Sequence, residues 1–346
     1  MKSTPPNGGT SVAIPCFCLD AIDNYRKAGK TAKVRGLEQQ YGELAGSVRL
    51  GKTTICIDQA EAIKRGRELA EKVAKWQPQQ VISFLIHQQE LLPQYADIKK
   101  KVTRENIEPI LIDMVSTTID DRGHASRHFS TDDERLFRLR AQTYGQELEC
   151  YKLPVIRIVL VEAIKEGKLS HETAIKFLWK KSWLGRTLTR KSPTHGTRQY
   201  RWLDLLEPSL GGYTSKVLQS LRDGTRVPHL VLEIDSLTVK FEGILRDLLR
   251  IAGVPTFRPK SDRKGRTTTE EKHIGELLYD KSIGSLFEEN ELFFLRFLLV
   301  EKSGYNLRAR IAHSLMLAED YHLDYAHMLV LALLMLASMI LCKTTK

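Results

Sequence analysis

The chain has 346 residues, 42% apolar and 27% charged, ordinary values for a folded protein and enough length for two domains with their own cores. A formal net charge of +11 is not ordinary, and points to a polyanionic partner, nucleic acid or an acidic membrane surface. The five cysteines, Cys16, Cys18, Cys56, Cys150 and Cys342, form no Cys-x-x-Cys pair, which argues against a disulfide framework or a zinc site and fits a cytoplasmic protein.

Residues 1–20 open on a Pro/Gly-rich stretch without the apolar core of a signal peptide, and are expected to form a disordered or loosely ordered tail. Gly46 to Thr53 then matches the phosphate-loop pattern G-x-x-x-x-G-K-[ST] letter for letter. That chemistry requires a buried strand delivering the loop and acids on a neighbouring strand to hold magnesium. The preceding residues are charged and helix-like, and the best acidic candidate, Leu230 to Asp235, lies far away in a helical pattern. No bound nucleotide is expected. Apolar residues at three- and four-residue spacing predict helices over 57–76, 81–92, 104–119, 132–148, 155–166 and 171–183. Thr131, ahead of three acids, and Ser170, with Thr173 three residues on, read as caps. His124 and His128 sit four apart but lack a further ligand at metal spacing, so the segment reads as a polar loop and no metal is expected. Strand signals are scarce, and residues 21–205 are read as an all-α N-terminal domain.

From Lys176 to Trp202 there are eight lysines and arginines and no acid. Cations suit phosphates and aromatic rings suit unpaired bases. Lys180, Lys181, Trp183, Arg186, Arg190, Lys191, Arg198 and Arg201 are therefore candidates for contact with single-stranded nucleic acid, RNA above all. The competing reading buries the tryptophans in the core and leaves the cations as a solvated face. A break follows through Pro193, Pro208, Gly211, Gly212, Gly224 and Pro228. Beyond it, periodicity predicts helices over 229–252, 271–279, 289–302, 307–319 and 324–342, with a polar loop at 255–269, together a helical bundle over 226–342. The apolar run 328–342 is shorter than the roughly 20 residues a membrane-spanning helix needs. A buried core helix or a dimer face is expected there, with a tail anchor as the alternative.

Arg308-Ala-Arg-Ile-Ala-His313 sets an arginine and a histidine at R-x4-H spacing just after a turn. Gly304 is placed in the turn and Asn306 as the helix cap, its side chain accepting a free backbone N–H. Arg308 and Arg310 then fall in the first turn, where the helix dipole favours acids. An anion would explain them, since unpaired N–H groups and guanidinium forks both bind phosphate. His313, one turn further on, offers an imidazole that can act as a base. Positions five apart lie ~140° apart around a helix, so Arg308 and His313 do not share a face. A symmetric dimer that brings two copies of the motif together is expected to complete the site.

This block resembles domain-of-unknown-function family 4209, a group usually placed in the HEPN superfamily and marked by an Arg-Asn-x-x-x-His-Gly signature. The matching residues are Phe294 to Val300, Gly304 to Arg308 and Ile311 to His313, and upstream Phe241 to Gly253, whose Glu242 and Arg246 look like the family's Glu-x-x-x-Arg helix. The resemblance implies a HEPN-like helical bundle, homodimeric through that bundle, and a metal-independent endoribonuclease giving 2′,3′-cyclic phosphate and 5′-OH ends. In that role His313 would move protons and Arg308 would stabilise the charged transition state, with Asn306, Arg310, Glu242 and Arg246 in support. A part in phage defence or a toxin system is implied with it. Two positions depart from the signature: its Asn is Ala309 here and its Gly is Ser314. These departures keep open an alternative, a catalytically silent module binding RNA or a protein partner. No cofactor and no membrane association are expected.

Overall fold

The computed structural model describes residues 13–47, 57–87, 90–107, 116–119, 125–129, 131–261 and 265–339. The fold is predominantly α-helical, as the periodicity predicts, but among the described residues three antiparallel two-stranded hairpins interrupt it. Two units form, residues 1–57 with 103–139 and residues 58–102 with 140–346. The ranges 21–205 and 226–342 are thus not the groups that pack together, because helices from residue 60 onward share a core with the C-terminal helix.

In the first unit, α1 (Ala13–Lys27) and α2 (Thr31–Ser47) pack side by side around Cys18, Ile22 and Val34. Part of the expected tail is therefore helix, while residues 1–12 lie outside the described residues. Gly46 and Ser47 end α2, so the Gly46 to Thr53 segment is entered from a helix and not from a strand; residues 48–56 lie outside the described residues. Of the range 104–119 expected to be helical, residues 116–119 are instead β1 (Ser116–Ile119), paired with β2 (Ala125–Phe129), and residues 108–115 lie outside the described residues. His124 lies outside the described residues.

The second unit begins with α3 (Ala60–Lys75), α4 (Pro78–His87) and α5 (Tyr95–Lys101), and continues after α6 (Asp132–Glu147) through a π-helical turn (Leu148–Lys152) into α7 (Leu153–Lys165). Next comes α8 (His171–Lys181), opened by the expected reciprocal cap: Thr173 N–H donates to Ser170 Oγ at 3.2 Å and Ser170 N–H to Thr173 Oγ1 at 2.9 Å. A 3₁₀ turn (Trp183–Gly185) leads to β3 (Leu188–Ser192) and β4 (Gly196–Tyr200), paired antiparallel. Helices α9 (Trp202–Asp223) and α10 (Val231–Ile251) follow, then β5 (Phe257–Ser261) and β6 (Thr267–Glu271) where a polar loop was expected. The chain closes with α11 (Ile274–Leu278), α12 (Glu289–Leu299), α13 (Leu307–Ala312) and α14 (Leu323–Ser338).

The break expected around Pro208, Gly211 and Gly212 is the interior of α9. Pro208 removes one backbone donor without ending the helix. Gly212 has a packing role, since a Cβ there would collide with the Glu233 carboxylate of α10, itself ion-paired to Lys216 at 2.9 Å. Two helices can approach this closely only where one lacks a side chain.

Every residue of α14 from Tyr325 to Ala337 is buried, and α4, α7, α10 and α12 pack around it. A helix apolar on all sides has to be enclosed. None of the described helices is long and apolar enough to cross a membrane, and the enclosed α14 has no side left over to serve as a dimer face. One polar group is enclosed with it: His327 is fully buried, its ring edge-on to Tyr213 at 5.8 Å. Burial holds the imidazole neutral by lowering its pKa to about 3. The unfolded chain therefore binds a proton that the folded chain refuses, and this contribution to stability is complete above about pH 6.5 and declines as pH falls from there toward 3. Between pH 6.5 and 5 it costs about 2 kcal/mol. Urea unfolding at the two pH values should show a loss of that size, and His327→Leu should remove most of it.

Candidate functional site

The R-x4-H segment is a short helix held by its two ends. α13 has six residues, entered at Asn306 and left at His313. Upstream, the Tyr305 N–H donates to the Phe297 carbonyl at 2.9 Å, and a Cβ on Gly304 would strike that same carbonyl, so the turn needs glycine. Tyr305 packs edge-on to Phe297 and Tyr325 and donates to Glu149 at 3.1 Å. Burial first, and then the nearby Glu149 carboxylate, push its phenol pKa up, so it remains a neutral donor.

Asn306 occupies the cap position but not in the expected way. Its backbone is left-handed (φ 47°, ψ 40°) and its side chain makes no cap hydrogen bond. A capping side chain needs an extended backbone to reach the N2 or N3 N–H, which the left-handed conformation denies. Asn is the non-glycine residue most at home there, and its carbonyl accepts from Ala309 and Arg310 N–H, each at 3.1 Å.

The helix expected over 307–319 stops after Ala312 because Ser314 also turns left-handed (φ 51°). Ser314 N–H donates to the Ile311 carbonyl at 3.0 Å and Leu315 N–H to the Arg310 carbonyl at 2.7 Å. This is a Schellman ending, in which the left-handed position usually belongs to glycine. Ser314 therefore carries a conformational cost that glycine would not. Ser314→Gly should stabilise the protein by about 1 kcal/mol, read as a raised urea midpoint.

His313 consequently lies at the C-terminal end of the helix, exposed to solvent, and not one turn inside it. Arg308 is half-buried in the first turn, its guanidinium 3.3 Å from Glu242 Oε2. Glu242 Oε1 is 2.9 Å from Arg246, so one carboxylate bridges two arginines. Arg246 continues to Glu271 at 3.2 Å and to the Lys272 carbonyl at 3.1 Å. The Glu-x-x-x-Arg pair of α10 is thus joined to the motif arginine. Arg310 is directed into structure, 3.2 Å from Tyr325 Oη and 3.6 Å from Asp320. Removing the bridge in Glu242→Ala takes the carboxylate from the half-buried Arg308 guanidinium and leaves Arg246 with the Glu271 carboxylate. A loss of about 1–3 kcal/mol in urea unfolding is expected, smaller in Glu242→Gln, which keeps an acceptor.

The basic stretch is divided by its aromatic residues. Trp183 is not a stacking platform: it is fully buried, and its indole N–H donates to the Leu336 carbonyl in the last turn of α14 at 2.8 Å. Trp202 is buried too, donating at 3.0 Å to Asp247. Lys180, Lys181, Arg186, Arg190, Lys191 and Arg198 are exposed, as candidates for phosphate contact must be. On the β3–β4 hairpin Arg190 lies directly opposite Arg198, a like-charge pairing, and its guanidinium rests over the Tyr200 ring, 4.8 Å from the ring centre. Arg201 is committed elsewhere, its guanidinium 4.6 Å from the ring centre of Trp179 and its Nε 3.2 Å from Asp204.

Asp247 was not legible as a site residue, although a carboxylate inside the apolar run Leu245 to Leu249 is the kind of signal that marks one. It is buried, accepts from Trp202 and Tyr200, and lies 3.2 Å from Arg250 and 3.8 Å from Arg190. It therefore ties the base of the hairpin to α10, the helix that also carries Glu242. Compared with protein-family models, curated proteins and solved structures, the chain matches none.

Proposed function

We propose that the protein captures single-stranded RNA on the β3–β4 hairpin and cleaves it without a metal ion, with Arg308 and His313 as the catalytic pair. The observation that carries this reading is the placement of His313, exposed at the end of α13, with Arg308 part-exposed at its start. An RNA chain supplies its own nucleophile. The imidazole of His313 takes the proton of a ribose 2′-OH, the 2′ oxygen bonds to the adjacent phosphorus, and the bond from phosphorus to the 5′ oxygen breaks. The leaving oxygen is protonated by an imidazolium, and Arg308 neutralises the extra charge on the phosphate oxygens as it develops. The products are a 2′,3′-cyclic phosphate and a 5′-OH. Glu242 orients Arg308, and the resemblance to family 4209 extends this to a role in phage defence or a toxin system.

Two copies of the motif supply the second imidazole in this scheme. With α14 enclosed, the surface offered to a homodimer is α10 and the segment after the motif, where Leu232, Val239 and Leu317 are 75%, 62% and 64% exposed. Leu232 and Val239 are seven apart and share one face of the helix. The Leu230 N–H donates to the Tyr321 carbonyl at 3.0 Å, which keeps this end of α10 beside the residues that follow His313. Val239→Glu should shift the protein to monomer in analytical ultracentrifugation and abolish cleavage together.

A second reading is favoured by the Arg308–Glu242 contact and by Ala309, which brings no amide to the site. On that reading the module binds RNA or a protein partner and cuts nothing. Labelled RNA incubated with purified protein and EDTA separates the two. Cleavage that resists chelation and falls at least about 100-fold in both His313→Ala and Arg308→Ala supports the nuclease. Binding that persists in both variants, with no cleavage by any form, sinks it.

A further inference from the structure

Four residues before the buried Trp183, Trp179 is 48% exposed, a large apolar surface to leave in water. It borders a cleft of about 300 Å³ between α8 and the start of α9, at the small end of ligand sites. Ile175 adds an apolar wall and Lys176 and Lys180 stand on the rim, while His171 and Glu207, with Nε2 and Oε1 3.2 Å apart, supply hydrogen-bonding groups. The indole is itself oriented. Arg201 lies over its ring, held there by Asp204, and Gly185 admits the Trp179 backbone at a distance where a Cβ would sit 2.6 Å from its carbonyl oxygen.

We infer that this cleft is a nucleobase site, which receives one unpaired base of an RNA strand tracked by the neighbouring cations. The inference rests on the RNA-binding part of the proposed function. An ordered, exposed ring next to lysines, with the acids of the lining, Glu172 and Glu207, at the His171 end, matches what an unpaired nucleotide presents. Its flat apolar face meets Trp179 and Ile175, its phosphate meets Lys176 or Lys180, and its polar edge meets His171 and Glu207. Trp183 lacks this chemistry because its ring is consumed by the core. A base inside a duplex presents no open face, so the site selects single strands.

The test uses the full chain carrying His313→Ala to prevent turnover. A fluorescein-labelled single-stranded oligoribonucleotide, and the same strand in a duplex, are titrated by anisotropy. Unlabelled strand is followed by quenching of tryptophan emission. The single strand should bind more tightly than the duplex. Trp179→Ala should weaken it about tenfold and remove most of the quenching, whereas Trp179→Phe, which keeps a ring, should stay within about threefold. Three results overturn the inference: single-strand affinity unchanged in Trp179→Ala, equal loss in the Phe variant, or equal affinity for duplex. If affinity is unchanged in Trp179→Ala but lost in Arg190→Ala/Lys191→Ala/Arg198→Ala, the cleft is excluded and hairpin capture of RNA stands. If the parent chain binds no RNA at all, hairpin capture and the base site fall together.

Discussion

The enclosure of α14 governs the architecture of the second unit. A helix with no polar side cannot rest on a surface, so α4, α7, α10 and α12 are drawn around it from distant parts of the chain. The enclosure also has to satisfy the end of the helix, where late carbonyls lack intrahelical donors, and the indole N–H of Trp183 meets one of them. One face of α10 is fixed against α14, which leaves Glu242 and Arg246 half-buried on another, beside α13. α13 is too short to be stable alone and is located by what lies around it: the buried Leu307, the Phe297 carbonyl upstream and the Schellman turn downstream.

Charge is distributed unevenly over this scaffold. Around α10 the arginines and carboxylates alternate, from Arg308 through Glu242, Arg246, Glu271 and Arg250 to Asp247, so the region is close to balanced. From Lys176 to Trp202 there is no acid at all. A large positive field therefore belongs to the hairpin and the end of α8. A polyanion would be steered there first, with local contacts selecting what it does next.

The helices were legible where one face is apolar at helical spacing, as in α7 and α10, and where local capping chemistry announces a start, as at Ser170. The hairpins were not, because strands with both faces exposed carry no alternation. Leu188 to Ser192 and Gly196 to Tyr200 contain no buried residue to mark a face, and only Pro193 between them and Gly196 at the start of β4 hint at a turn. Pro208 and Gly212 misled in the opposite sense, since breaker residues inside α9 are there for packing. Trp179 and Trp183 show the limit most plainly. Two identical side chains four positions apart have opposite fates, and only the partner of each indole decides which. In the candidate site the sequence could not show that Arg308 meets Glu242 of α10, nor that Ser314 ends α13 and leaves His313 at its rim.

The enclosure of α14 also bears on how the protein is made. Its wrapping segments are all synthesised earlier, beginning with α4, and none of them can close the core until residue 338 has left the ribosome. At roughly 5–20 residues per second, the interval between α4 and the end of α14 is about ten to fifty seconds. During that time α4, with Val81, Ile82 and Leu85, and later α10, with Leu237, Ile244 and Leu248, lack the packing that α14 supplies. The part of the core that α14 fills therefore forms late in synthesis.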